Sequence, residues 1–146
     1  MRLPSVSLIV CLWMLAAHAS ALTQPQAEAV ARKYLATLPA DGATHEATKI
    51  LMADLDGNGT LEIVLWSTLL GPTYASSQLT VLADQGKGYV PAGSGDLWGN
   101  VEDMAVNKAV VEIKSKMPAP GDPRCCPSLQ KTYRYTWKNA KLTEAE

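Results

Sequence analysis

The sequence predicts an α+β domain, in which one N-terminal helix packs on a curved, antiparallel sheet of about six to eight strands. Two observations carry this prediction. Apolar residues recur at helical spacing in one segment, at Ala27, Ala31, Tyr34, Leu35 and Leu38. Every later segment alternates or runs apolar over the length of a strand, and residues typical of turns separate these segments.

The predicted helix has recognisable ends. Thr23 suits the N-cap, because its hydroxyl can pair with a free N–H of the first turn. Pro25 falls in that turn, where a missing N–H does no harm. Pro39 and the Asp41-Gly42 pair follow the last periodic residue, so the helix is expected to end before them.

The first strands differ in their patterns. Residues 49–55 and 61–68 are apolar on both faces, which predicts central strands covered on both sides. Residues 78–83 alternate and lead into a glycine-containing turn. Residues 89–90 begin a short strand, which Pro91 and the glycines after it are expected to interrupt.

The last strands follow in order along the chain. Residues 101–106 and 110–117 flank a two-residue turn and predict a hairpin. Alternation then places four apolar residues on one face of a strand: Leu129, Tyr133, Tyr135 and Trp137. A short final strand is expected at Leu142.

The first residues predict export. Residues 6–17 are apolar but too short to span a membrane as a helix. Ala19 and Ala21 fit an A-x-A cleavage pattern, so residues 1–21 are predicted to be a secretory signal peptide. No lipidation box precedes Cys11, which favours a soluble exported domain at residues 22–146 over a lipoprotein or an uncleaved anchor. We expect a periplasmic location, with secretion as the alternative.

The net charge of the chain and its lack of known catalytic motifs reduce the number of functions that fit it. The net charge of −1 gives no basic surplus, so we expect neither nucleic acid as a partner nor a membrane span after signal cleavage. None of the nucleophile, zinc-hydrolase or phosphate-loop motifs is present. His45 has only Glu46 beside it, and adjacent Glu102 and Asp103 are expected on opposite faces of a strand. The sequence therefore predicts a protein that is not an enzyme.

The stretch DLDGNGTLE, residues 54–62, resembles a calcium loop. Oxygen ligands at alternate positions can converge on one Ca²⁺ ion, and Gly59 permits the sharp turn that this needs. The predicted ligands are the side chains of Asp54, Asp56, Asn58 and Glu62 and the carbonyl of Thr60. The alternative is a hairpin turn built on Asp-Gly and Asn-Gly pairs. Leu65 stands where an EF-hand has its bidentate glutamate, and a strand follows, so the predicted role is structural.

Cys125 and Cys126 form a second unusual block, in GDPRCCPS at residues 121–128. Adjacent Cα atoms lie about 3.8 Å apart, below the usual disulfide range, so a ring between them is strained and easily reduced. Such a ring is one interpretation, as a structural or recognition feature. The others are a redox switch or soft-metal site, and thiols that stay unbonded or bridge to other chains.

Three blocks together resemble a group of poorly characterised bacterial exported domains. These are residues 54–59, 121–128 and 133–137, and the second is similar to the Cys-Cys-Pro region of mycobacterial lipoproteins of the LppP/LprE type. Unlike those lipoproteins, this chain shows no lipidation cysteine. The resemblance implies an exported envelope domain of unknown activity, and it carries over no catalytic residue.

A non-enzymatic binding or interaction domain fits these features best. Tyr74 and Trp98 lie in glycine-containing loops, where aromatic side chains often serve recognition. The alternative for Trp98 is a structural side chain that plugs one end of the sheet. The expected partner is an envelope or secreted protein, or a small ligand. One alternative is an inhibitor or immunity protein that blocks a secreted enzyme, and another is an envelope protein that responds to thiols or metals through Cys125 and Cys126.

Overall fold

The structure, a computed structural model, describes residues 21–145. The predicted signal peptide lies outside the described residues except for Ala21. The described chain forms one helix and eight strands: α1 (Gln24–Leu35), β1 (Thr44–Ala53), β2 (Glu62–Leu70), β3 (Ala75–Asp84), β4 (Tyr89–Leu97), β5 (Asn100–Asn107), β6 (Val110–Met117), β7 (Leu129–Lys138) and β8 (Lys141–Ala145). No helix within residues 21–145 has the length and hydropathy needed to span a membrane.

The strands form two antiparallel sheets of four. The first sheet has the order β1-β2-β3-β4, and the second sheet has the order β5-β6-β7-β8. The predicted α+β class is therefore confirmed, whereas the prediction of one curved sheet was wrong. Alternation identifies strands and their inward faces but carries no information about which neighbour a strand pairs with. Here β4 and β5 do not pair, because the chain turns at Trp98-Gly99 and begins a new sheet.

The main core lies between the two sheets. Residues of β2 and β3 meet residues of β5, β6 and β7 in one cluster, which includes Val64, Trp66, Leu79, Val81, Met104, Val111, Ile113, Tyr133, Tyr135 and Trp137. The predicted inward face of β7 is confirmed for its three aromatic residues. Leu129 on the same face is 53% exposed, because it is the first residue of β7 and lies outside this cluster.

The helix covers the other face of the first sheet. Ala27, Ala31 and Leu35 are buried against Ile63, Leu65 and Leu82. Since helix and second sheet cover opposite faces, β2 is buried over most of its length, as its apolar run predicted. The prediction that β1 is also a central strand was wrong, because β1 lies at the edge of the sheet. Its apolar residues are covered on both faces as predicted, since Leu51 packs against the core between the sheets and Ile50 against the core under the helix.

The helix begins as its sequence predicted. Thr23 is the N-cap, and its backbone N–H and its hydroxyl both donate to Oε1 of Gln26, at 2.9 and 2.8 Å. Pro25 lies in the first turn. The first of these bonds satisfies the N–H of the N-cap, which a helix N-terminus otherwise leaves free.

Strand β4 continues through Pro91 and the glycines, so the predicted interruption was wrong. Pro91 is tolerated because β4 is an edge strand of the first sheet. Gly93 allows the two sheets to approach, since a Cβ there would lie 3.2 Å from Cβ of Leu142 in β8. Close by, Nε1 of Trp137 donates to the carbonyl of Ala92 at 2.8 Å.

Candidate functional site

The loop between β1 and β2 is organised around Asp54. Oδ1 of Asp54 accepts the N–H groups of Gly57 and Asn58 at 2.7 and 3.1 Å, and Oδ2 accepts that of Gly59 at 2.9 Å. Gly57 and Gly59 have φ values of 80° and 86°, which favour glycine and turn the N–H groups toward the carboxylate. The bond from Gly59 contributes most to lowering the pKa of Asp54.

Asp56 and Asn58 continue this network of loop hydrogen bonds. Asp56 accepts the backbone N–H of Asn58 at 3.1 Å and its side-chain amide at 3.0 Å. The amide oxygen of Asn58 accepts the N–H of Thr60 at 2.6 Å. The predicted side-chain ligand Asn58 and the predicted carbonyl ligand Thr60 therefore lie in one hydrogen-bonded turn.

Glu62 begins β2 with only 2% of its surface exposed. Its Oε2 accepts the N–H of Leu55 at 2.7 Å. Burial raises the pKa of Glu62, and the nearby negative charges of Asp56 and Asp54 raise it further. Burying the Glu62 carboxylate costs free energy of folding, because it leaves water and lies close to the negative charges of Asp54 and Asp56.

Three of the five predicted ligands form a group of carboxylates. Asp54, Asp56 and Glu62 each offer one oxygen, and these oxygens lie within 4.8 Å of one another. Calcium binds six to eight such hard oxygen ligands. The donor set fits that ion, and the turn hydrogen bonds around Asp54 fit the hairpin alternative equally well.

Cys125 and Cys126 are joined by a disulfide in the exposed loop between β6 and β7. Asp122 anchors this loop, and it accepts the N–H groups of Ala119 and Ser128, each at 2.7 Å, and the hydroxyl of Ser128 at 2.9 Å. These bonds lower the pKa of Asp122, and the bond from Ala119 contributes most. This role of Asp122 was not predicted from the sequence, although aspartate is a common turn former through such bonds. The redox and metal interpretations of the pair stay predictions.

We expect the anchoring by Asp122 to depend on pH. Because its folded pKa is lowered, the carboxylate stabilises the loop above the ordinary value of 3.8, and this stabilisation is lost as pH falls through the folded pKa. At neutral pH, Asp122→Ala should speed amide exchange at Ser128 by about tenfold, as expected for lost charge-assisted hydrogen bonds. Hydrogen exchange measured by NMR checks this, with the exposed Glu46→Ala as control. Unchanged protection of Ser128 in Asp122→Ala would contradict the assignment.

The two predicted recognition aromatics have different surroundings. Tyr74 is 53% exposed, but its ring packs over Gly71 in the turn before β3, and Gly71 N–H donates to the Tyr74 carbonyl at 2.9 Å. Trp98 is 64% exposed and stands at the corner between the two sheets. Tyr74 thus stabilises its own turn, whereas most of the Trp98 side chain faces solvent.

The backbone at Trp98 is fixed from the second sheet. The hydroxyl of Ser115, which is fully buried, donates to the Trp98 carbonyl at 2.6 Å. Gly99 has a φ of 79°, and a Cβ at this position would lie 2.6 Å from the carbonyl oxygen of Lys116 and 2.5 Å from Sδ of Met117. The corner therefore requires glycine, and it presents Trp98 on a rigid support.

A cleft of about 650 Å³ lies beside this corner. Its walls come from β2, from the start of β3 and from the segment joining β4 to β5. The lining residues are Trp66, Thr68, Ala75, Ser76, Ser77, Asp96, Leu97, Trp98, Gly99, Asn100 and Val101. The sequence predicted a recognition role for Trp98 but not this cleft, because the residues that line the cleft come from distant segments.

The other residues considered for catalysis have structural partners. Asp103 pairs with Lys49 of β1 at 2.7 Å, and Glu102 pairs with Lys116 at 2.7 Å. The bond from Lys49 lowers the pKa of Asp103. His45 contacts the carbonyl of Pro39 through Nε2 at 2.9 Å.

Comparisons with known proteins give no relative. No model of a known protein family, no curated protein and no solved structure matches the chain. The resemblance of residues 121–128 to lipoproteins of the LppP/LprE type therefore stays a hypothesis.

Proposed function

We propose that this chain is an exported, non-enzymatic binding domain, and that the cleft beside Trp98 is its ligand site. The observation that carries the proposal is the exposure of Trp98, 64%, on a backbone corner held by Ser115 and Gly99. An exposed indole is a large apolar surface, and covering it with a ligand is favourable.

The rigid corner supports the same proposal on energetic grounds. Binding loses free energy when loops and side chains must be ordered, and a preorganised support reduces that loss. Gly99 and the bond from Ser115 fix the Trp98 backbone, so only the indole rotamer remains to be ordered. Tyr74 plays a secondary part, since it braces the turn that leads to Ala75 at the cleft wall.

We propose further that residues 54–62 bind Ca²⁺ in a structural role. The three carboxylates of Asp54, Asp56 and Glu62 support this, because the third is buried close to the other two. A divalent cation would offset the repulsion among them. The loop joins β1 to β2, so the ion would stabilise the first sheet and take no part in chemistry.

A ligand panel tests the binding site. Thermal melts of residues 22–146 would be recorded with neutral saccharides, amines, amino acids, nucleotides and short peptides. The same melts would be recorded for Trp98→Ala and for Leu129→Ala, which is a matched control because Leu129 is also an exposed apolar residue. A ligand at ten times its Kd stabilises by about 1.4 kcal/mol, which raises Tm by about 3–6 °C. We expect at least one class to stabilise wild type and Leu129→Ala but not Trp98→Ala. A panel without any such shift would contradict the proposed function.

A further inference from the structure

We propose that the ligand of the cleft beside Trp98 is a neutral saccharide. This inference rests on the proposed function, namely that the cleft is a binding site, and it adds the chemical class of the ligand. The lining chemistry, the aromatic surface and the charge of the cleft each bear on that class.

The polar groups of the cleft match hydroxyls. Thr68 and Ser77 are partners across β2 and β3, and they carry hydroxyls on the sheet face that also holds Trp66. The Thr68 hydroxyl also pairs with that of Thr48 at 2.8 Å. Hydroxyls both donate and accept, and the amide of Asn100 does the same. Sugar hydroxyls donate and accept in the same way, so several can be paired at once by groups of these types.

The apolar part of the cleft matches the other face of a sugar. A pyranose ring presents C–H groups on its faces and hydroxyls around its edge. The exposed indole of Trp98 is a flat apolar surface on which such a C–H face can lie. The cleft volume of about 650 Å³ is within the usual range of small-molecule sites, about 300–1,000 Å³.

Among the described residues, the lining of the cleft suits neither an anionic ligand nor an organic cation well. No lysine or arginine of residues 21–145 lines the cleft, and Asp96 is the ionisable residue at its wall, so no cationic group there would pair with an anionic ligand. An organic cation is better held by several exposed aromatic faces. Here Trp98 is the exposed ring, since Trp66 is only 8% exposed. A neutral ligand makes use of the three uncharged polar side chains as well as the indole.

The test uses defined probes. Cellobiose, maltose and N,N′-diacetylchitobiose would be examined by saturation-transfer NMR and by titration calorimetry, with choline and glucuronic acid as the cationic and anionic probes. We expect a neutral disaccharide to bind and to receive saturation mainly on the C–H protons of one ring face. Trp98→Ala should weaken its affinity by about tenfold or more, whereas Trp98→Phe should keep most of it. Leu129→Ala should bind as wild type.

The outcomes separate this inference from the proposed function. Binding of choline or of glucuronic acid in place of the sugars, lost in Trp98→Ala, would overturn the saccharide and leave the cleft as a binding site. Sugar binding that Trp98→Ala does not change would overturn the assignment to this cleft. If no probe binds and the wider panel also shows no Trp98-dependent shift, both proposals fail.

Discussion

Gly99→Ala is expected to lower the free energy of unfolding by about 3 kcal/mol or more and to abolish ligand binding at the cleft. The left-handed backbone at Gly99, with φ 79°, is costly for alanine, and the new Cβ would lie 2.6 Å from the carbonyl oxygen of Lys116. A backbone oxygen cannot rotate away as a flexible side chain can. The corner must therefore shift, and Trp98 shifts with it.

Gly95→Ala is the matched control for this substitution. Its Cβ would meet Cδ2 of Leu142 at 3.8 Å, an ordinary contact, so stability should change by less than about 1 kcal/mol. Urea unfolding of both variants and of wild type measures the difference. If Gly99→Ala unfolds at the same urea concentration as wild type, the corner at Gly99 is not rigid in solution. Should Gly99→Ala not fold at all, the mild variant Ser115→Ala removes the hydroxyl bond to Trp98 and tests the same corner by ligand affinity.

The helix and the strands could be predicted because their patterns are local. Spacing of 3.6 residues identified α1, and alternation identified the buried aromatic face of β7. The division into two sheets could not be predicted, since it depends on β4 and β5 not pairing. The continuation of β4 through Pro91 could not be predicted either, because it depends on that strand lying at the edge of the sheet.

The candidate sites divide in the same way. Asp54, Asp56 and Glu62 are close in sequence, so their spacing alone predicted that they converge. The burial of Glu62 was not predicted, because it depends on tertiary packing around the start of β2, which no local pattern shows. The cleft needs Ser76 and Asn100 to meet across the fold, and no local pattern carries that information.

Glu62→Gln is expected to change stability in opposite directions with and without calcium. In EDTA it should raise the free energy of unfolding by about 1 kcal/mol, because a buried charge facing Asp54 and Asp56 is removed. Glutamine keeps an oxygen that can accept the N–H of Leu55, so the hydrogen bond at this position is retained. In saturating Ca²⁺ the variant should instead be less stable than wild type, since it lacks one carboxylate ligand.

Thermal melts in EDTA and in 10 mM Ca²⁺ measure both effects. This calcium concentration is at least about ten times the Kd of extracellular sites, which is about 10⁻⁴–10⁻³ M. Ten times Kd stabilises wild type by about 1.4 kcal/mol, or several degrees. The exposed Glu46→Gln should show the full calcium shift of wild type. Asp54→Ala should lose the rise in Tm that calcium causes. It should also be less stable than wild type in EDTA, because it lacks the hydrogen bonds from Gly57 and Gly59. An equal gain for Glu62→Gln in both buffers would mean that the loop is a hairpin turn, whose carboxylates repel one another without holding an ion.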